Sequence, residues 1–202
     1  SVGLTEPHLF DSDVSGSADF FYRRRIYSQY DEDRTNLGFG VGRRLGNIWT
    51  GNIGLSFQRV LLKNFDPFTP VQVAADAGPD IFASVTASLR RNTIDNFMKP
   101  SRGSITNIAF SRFIPIQGDV EFWAVNAGVT SFLTLAEDFL GRKQILKLKT
   151  NAGYIFGGTP PTYESYYMGG RSLRGFQFRT VSPKSDDTVG AGSATGDYQP
   201  IG

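Results

Sequence analysis

Residues 36–44 read Asn-Leu-Gly-Phe-Gly-Val-Gly-Arg-Arg, and this run restricts what the chain can become more than any other. Leu37, Phe39 and Val41 alternate with Asn36, Gly38, Gly40 and Gly42. A strict period of two is a strand whose two faces meet different surroundings. The pattern recurs. Trp49, Ile53, Leu55 and Phe57 oppose Thr50, Asn52, Gly54, Ser56 and Gln58, and Ile81, Ala83, Val85, Ala87 and Leu89 oppose Ser84, Thr86, Ser88 and Arg90. Trp123, Val125, Ala127 and Val129 oppose Ala124, Asn126, Gly128 and Thr130, and Leu146, Leu148, Ala152, Tyr154 and Phe156 oppose Lys147, Lys149, Asn151 and Gly153.

Three further segments complete the ladder. Ser1 to Glu6 reads as a strand ending at Pro7, because proline belongs at strand ends and edges. About Ser15 to Tyr27, Ala18, Phe20 and Tyr22 alternate with Ser17, Asp19 and Arg23. Around Gly103 to Ile114 the alternation blurs, with Ile105, Ala109 and Phe113 on one side and Ile108 and Phe110 on the other, which leaves that strand without an orientation. Turns are expected at Asp11-Ser12-Asp13, Asp31-Glu32-Asp33, Gly46-Asn47, Gln117-Gly118-Asp119 and Gly141-Arg142. A Pro-, Asp- and Ala-rich loop should run from about Lys63 to Pro79, and no segment has a convincing helical period. The reading is all-β, with about eight strands over residues 1–157.

The second face decides between two all-β architectures. A soluble sandwich turns its polar face to water and favours Lys, Glu and Thr there. Here that face carries mostly Gly, Ser, Asn and Thr, small groups suited to a crowded or water-filled lumen. The apolar face is flanked by Tyr27, Tyr30, Trp49, Trp123, Tyr154 and Phe156, near segment ends where a barrel in an outer membrane places its aromatic girdles. Segments of about ten residues match the length a tilted strand needs to cross a bilayer. An antiparallel transmembrane β-barrel is therefore the expected fold, with a soluble β-domain as the bland alternative.

After about Gly157 the alternation stops, and a long connection of about residues 158–202 follows. Its centre is Gly169-Gly170-Arg171-Ser172-Leu173-Arg174-Gly175-Phe176, with Ser182-Pro183 shortly after. Loops beyond about 12–15 residues are usually functional or disordered, and disorder fits poorly with Tyr163, Tyr166, Tyr167, Met168, Leu173, Phe176 and Phe178, which need something to pack against. Arg174 is a planar fork of donors that always carries charge, and among apolar neighbours it requires a carboxylate or carbonyls. The loop is expected to fold back and plug an interior.

Composition narrows the remaining functions. A mean hydropathy of −0.23 and the lack of any long apolar run argue against membrane-spanning helices. The net charge of +2 comes from dispersed residues, so no footprint for nucleic acid is present. Zero cysteines remove disulfides and thiolate metal sites. Gly38-Phe39-Gly40-Val41-Gly42 superficially suggests a phosphate loop, but no helix pattern follows it. His8 lacks a partner acid and nucleophile, and Asp11, Asp13, Asp31, Glu32 and Asp33 lack the spacing of a calcium loop. Neither an enzyme nor a bound cofactor is expected.

The loop centre, from Gly169, Gly170, Ser172 and Leu173 through Arg174, Gly175 and Phe176, resembles the signature of the bacterial surface antigen, BamA-like, family of outer-membrane assembly factors. The Thr5-Glu6-Pro7-His8-Leu9-Phe10 run is similar to a strand end of that family, and the resemblance covers essentially the whole chain. It implies an integral outer-membrane barrel of about sixteen strands, of which this chain would be an incomplete segment without the family's periplasmic repeats and closing strands. It implies an extracellular loop folded into the lumen, with Arg174 paired to an acid on a strand beyond residue 202. The partners it implies are membrane lipid, unfolded outer-membrane proteins and, through the periplasmic repeats, assembly lipoproteins. The alternatives are a two-partner secretion transporter, which shares the loop, a passive porin-like channel, and a soluble β-sandwich binding module.

Overall fold

A computed structural model describes residues 1–27, 30–67, 69–167 and 174–176, together with the backbone pairing of Lys184–Ser185 and Gln199–Pro200. Eight strands form one antiparallel sheet in strict sequence order: β1 (Val2–Glu6), β2 (Val14–Ile26), β3 (Asp31–Leu45), β4 (Trp49–Lys63), β5 (Gly78–Asn92), β6 (Gly103–Gln117), β7 (Phe122–Glu137) and β8 (Lys143–Phe156). From β2 to β8 the strands are 13 to 16 residues long. A tilted strand crosses the hydrocarbon with about 9–11 residues, so each has residues to spare at both ends. No helix among the described residues is long and apolar enough to cross a membrane.

Register turns the alternation into two continuous surfaces. Phe39 lies opposite Leu55, Leu55 opposite Val85, and Val125 opposite both Phe110 and Tyr154. Asn36 lies opposite Phe21 and Gln58, and Ser56 opposite Ser84, whose hydroxyls bond at 2.8 Å. Thr86 and Ser111 bond across β5 and β6 at 2.9 Å. The first surface exposes Phe20, Leu37, Phe39, Val41, Ile53, Leu55, Phe57 and Val85, while Asn36, Ser84 and Ser111 on the second are buried. Large apolar groups therefore face outward and small polar groups face inward, the inverse of a soluble β-domain and the arrangement of a barrel wall in lipid.

Several expectations need correction. Asp31-Glu32-Asp33 is not a turn but the first three residues of β3; the reversal lies just before it, closed by the Tyr27 N–H donating to the Tyr30 carbonyl at 2.9 Å. The three acids tolerate a strand because each has a cation beside it: Asp31 pairs with Arg24, Asp33 with Arg24 and Lys63, and Glu32 with Arg34. The connection from β4 to β5 contains a short helix, α1 (Val71–Ala75), and single 3-10 turns occur at Leu9–Asp11 and Thr162–Glu164. Inside the final loop, β9 (Lys184–Ser185) pairs antiparallel with β10 (Gln199–Pro200).

The lumen is not polar throughout. Tyr30, Val60, Leu62, Val73, Phe82, Val120, Phe122, Ala124 and Tyr163 form one buried cluster, with Tyr27, Phe65, Phe113 and Ile155 packed against it. Phe113 and Phe122 stack with centroids 4.2 Å apart. Burying a side chain such as Phe82, fully enclosed here, stabilises by about 1.5–3 kcal/mol. Tyr27 and Tyr30 belong to this layer and not to an outer girdle. The outer aromatics at the same end are Phe110, Trp123, Tyr154 and Phe156, with Phe110 and Trp123 centroids 5.0 Å apart.

The layer also explains the blurred strand. Register places Ala109, Ser111 and Phe113 of β6 opposite Ser88, Thr86 and Ser84, on the inner face, and Ile108, Phe110 and Ile114 on the outer one. Phe113 is apolar because the interior is filled there. Its outward neighbour Arg112 is charged, pairing with Glu121 and lying 4.6 Å over the Trp123 ring. Both departures from the pattern come from neighbours that adjoin only after folding.

Candidate functional site: the root of the long loop

The chain leaves β8 at Phe156 and turns sharply inward. A Cβ on Gly158 would collide with the carbonyl oxygen of Glu121, in the β6–β7 turn, so two backbones meet at a distance only glycine permits. Pro160 and Pro161 follow, then the 3-10 turn at Thr162–Glu164.

Four residues of this root grip the inner wall. Thr162 donates both its backbone N–H and its hydroxyl to Asp76, at 2.7 Å each, just beyond α1. The buried Tyr163 donates its hydroxyl to Asp80 at the start of β5, at 2.6 Å. Glu164 accepts a hydrogen bond from Arg34 of β3 at 2.8 Å. Tyr166 donates to Asn126 of β7 at 2.6 Å, and its ring covers Gly153 of β8 so closely that a Cβ there would lie 2.6 Å from it. Every second wall strand from β3 to β7 is thus tied to a stretch of five consecutive residues.

Arg34 is the hub. It meets Glu164 with Nη1, the Tyr163 carbonyl with Nη2 at 3.4 Å, and Glu32 through Nε at 3.2 Å, the last an ion pair whose angle falls short of a hydrogen bond. Its guanidinium also lies 5.7 Å from the centre of the Tyr163 ring. The side chains of Arg34, Glu32 and Glu164 are 14%, 3% and 17% exposed, so the charges sit largely out of water and depend on one another. Tyr163 is held protonated: burial foremost, then the Asp80 carboxylate it donates to, raise its pKa far above the ordinary phenol value.

Sequence reasoning singled out the loop aromatics as side chains needing a surface, and Tyr163 has found one. It placed Asn126 on the inner face without foreseeing its bond to the loop, and it missed Asp76, Asp80 and Arg34. The available signals were weak: Asp80 follows a proline at a strand start, and Arg34 follows a run of acids. Of the signature residues, Arg174, Gly175 and Phe176 form an exposed turn in which Gly175 takes φ 89°. Phe176 is 52% exposed, and Arg174 makes no hydrogen bond or ion pair among the described residues. Gly169, Gly170, Ser172 and Leu173 lie outside the described residues.

An outward apolar wall, an inward polar and glycine-rich face, and a loop root held on the inner side define part of a membrane-spanning antiparallel β-barrel. The sequence matches the Omp85 superfamily domain over residues 1–200, and the chain belongs to that family. It is an integral outer-membrane protein. Among curated proteins it is similar to the outer membrane protein assembly factor BamA of Nitratidesulfovibrio vulgaris, 25% identical over 198 residues that cover 94% of this chain and 24% of that protein. Among solved structures it is similar to BamA from Haemophilus ducreyi lacking POTRA domains 1–3, with a TM-score of 0.74 and 20% identity, covering 94% of this chain and 40% of that one. The chain thus spans well under half the length of both.

Proposed function

We propose that this chain supplies barrel wall and lumen loop to an outer-membrane assembly factor that helps fold and insert β-barrel proteins. The observation that carries the reading is the rooted loop. This segment is tied to β3, β5 and β7 and to Asp76 just beyond α1, and then continues into the Leu173-Arg174-Gly175-Phe176 stretch. The relative's name as an assembly factor supports the same reading. The mechanism is non-covalent: the barrel disturbs lipid and presents strand edges with which an incoming strand pairs, while the loop braces the interior. Its partners are lipid, unfolded outer-membrane proteins and, through periplasmic repeats, assembly lipoproteins. The role assigned is not enzymatic.

The test uses the full-length protein in liposomes presented with a urea-denatured small barrel protein. Faster appearance of the folded, heat-resistant client than in protein-free liposomes is the expected result. Solute efflux without faster client folding would assign a porin-like channel instead, and export of an extended passenger without insertion would assign a secretion transporter.

A further inference from the structure

We propose that the outer surface of β2–β4 at the loop end is a binding collar for the phosphate groups of membrane lipids, built from Arg24, Arg59 and Lys63. Register puts Arg24 beside Asp33, Lys63 beside Asp31, and Arg59 beside Thr35, all on the face opposite to Glu32, Arg34 and Asn36 and therefore outside the barrel. Tyr22 lies level with Arg59 on the same face, Leu61 with Arg24 and Ile26 with Lys63, and below them come Leu37, Phe57 and Leu55, the exposed apolar surface that meets hydrocarbon. The three cations interrupt that apolar surface within the last residues of β2 and β4, at the level where a barrel meets lipid headgroups.

The collar holds acids as well as bases, but the two are layered. Asp31 and Asp33 have side chains only 10% and 15% exposed, whereas Arg24 and Lys63 are 47% and 34% exposed. Arg24 uses Nη2 on Asp31 at 2.9 Å and Nε near Asp33 at 3.7 Å, which leaves its Nη1 donors uncommitted among the described residues. Lys63 spends one donor on Asp33 and has two more. Asn64 donates to the same Asp31 oxygen, Oδ2, at 2.8 Å, fixing the acid below the cations. The carboxylates thus order the cationic heads and turn their free donors outward.

Arg59 is the residue that structure alone does not explain. It is exposed, and among the described residues it has no hydrogen bond or ion pair. Its cross-strand neighbours Thr35 and Ile81 offer it no charge. A five-donor guanidinium beside a hydrocarbon boundary finds its natural acceptor in a phosphate, which matches its planar fork. At about 3.3 Å per residue, Arg59 and Lys63 are separated by about 13 Å along β4, so the collar engages neighbouring headgroups and not a single anion.

Full-length protein in neutral detergent, titrated with dihexanoyl phosphatidic acid and read by native mass spectrometry, tests this. Bound lipid should appear with phosphatidic acid and be much weaker with dihexanoyl phosphatidylcholine. Arg59→Gln should weaken binding about fivefold and Arg59→Glu more, from the contribution of one basic side chain at an anionic surface. Arg90→Gln, at the opposite end and on the inner face, should leave it unchanged. Because Arg59 has no partner among the described residues, its variants keep the wall, which heat-modifiable migration verifies. Equal affinity of wild type and Arg59→Gln overturns the proposal. So does equal binding of the two lipids, or equally effective competition by inorganic phosphate.

Discussion

The phenol of Tyr163 donates to the carboxylate of Asp80 across 2.6 Å, joining the root of the long loop to the first residues of β5. The two residues are 83 positions apart in the chain. Tyr163 also belongs to the buried apolar layer and carries the carbonyl that Arg34 holds, so one side chain and its backbone link three features of the interior.

Tyr163→Phe should therefore loosen the loop without removing its apolar packing. Asp80 loses its donor, a cost of about 1–3 kcal/mol, read as a lower temperature of barrel unfolding and faster protease cleavage after residue 157. The same bond gives a pH dependence. A phenol whose folded pKa is raised above its unfolded value of 10.0 contributes stability that is full below pH 10 and declines above it. Loop protection should hold through neutral pH and fall in strong alkali, and in Tyr163→Phe that alkaline fall should shrink.

Arg34→Ala should be worse than Glu164→Ala. Removing Glu164 leaves Arg34 with Glu32, whereas removing Arg34 takes the shared cation from both carboxylates in a site largely shielded from water. Breaking a buried pair in this way costs about 3–5 kcal/mol. Thermal melts of the two variants in full-length protein should rank them in that order, and the reverse ranking would remove Arg34 from the centre of the network.

Gly158→Ala should disturb the exit from β8, because the added methyl meets the backbone of Glu121 and not a movable side chain. A destabilisation larger than that of Gly46→Ala is expected. Gly46, in the β3–β4 turn, has open space around its Cβ position and pays only for its φ of 77°. Comparative melts decide it.

Cysteines placed at Phe39, Leu55, Val85 and Val125 should resist a water-soluble thiol reagent in the membrane, and cysteines at Gly40, Ser56, Ser84 and Asn126 should react, more slowly where the wall is crowded, as at Ser84. The split follows from the register that aligns Phe39, Leu55 and Val85 on one face and Ser56 with Ser84 on the other. Equal labelling of both sets would contradict the outward apolar wall.

For Arg174 we propose a bidentate acid on a strand beyond residue 202, reached when the loop lies in the lumen of the complete barrel. Arg174→Ala in full-length protein should then lower barrel stability by about 3–5 kcal/mol and slow client insertion. Arg174→Lys should rescue little, because an ammonium does not reproduce the planar fork. Near-normal melts for both variants would make it an ordinary exposed arginine.

The wall was legible because its cause is local. Side chains alternate across any strand, so Leu37-Gly38-Phe39-Gly40-Val41 states which residues share a face before any partner strand is known. Short connections between successive strands then favour sequential antiparallel pairing, as observed. What only the tertiary structure decided is which charges and aromatics lie together. Asp31-Glu32-Asp33 looks like turn chemistry until Arg24 and Lys63 arrive from the neighbouring strands and Arg34 turns to Glu32. Phe113 and Tyr30 look outward-facing or ambiguous until Val73 of α1 and Val120 of the β6–β7 turn help make the lumen apolar at that end. The grip of Arg34 on Glu164 spans 130 residues. No period or spacing encodes it, because such a contact depends on the curvature of the wall and the path of the loop, set jointly by the whole sheet.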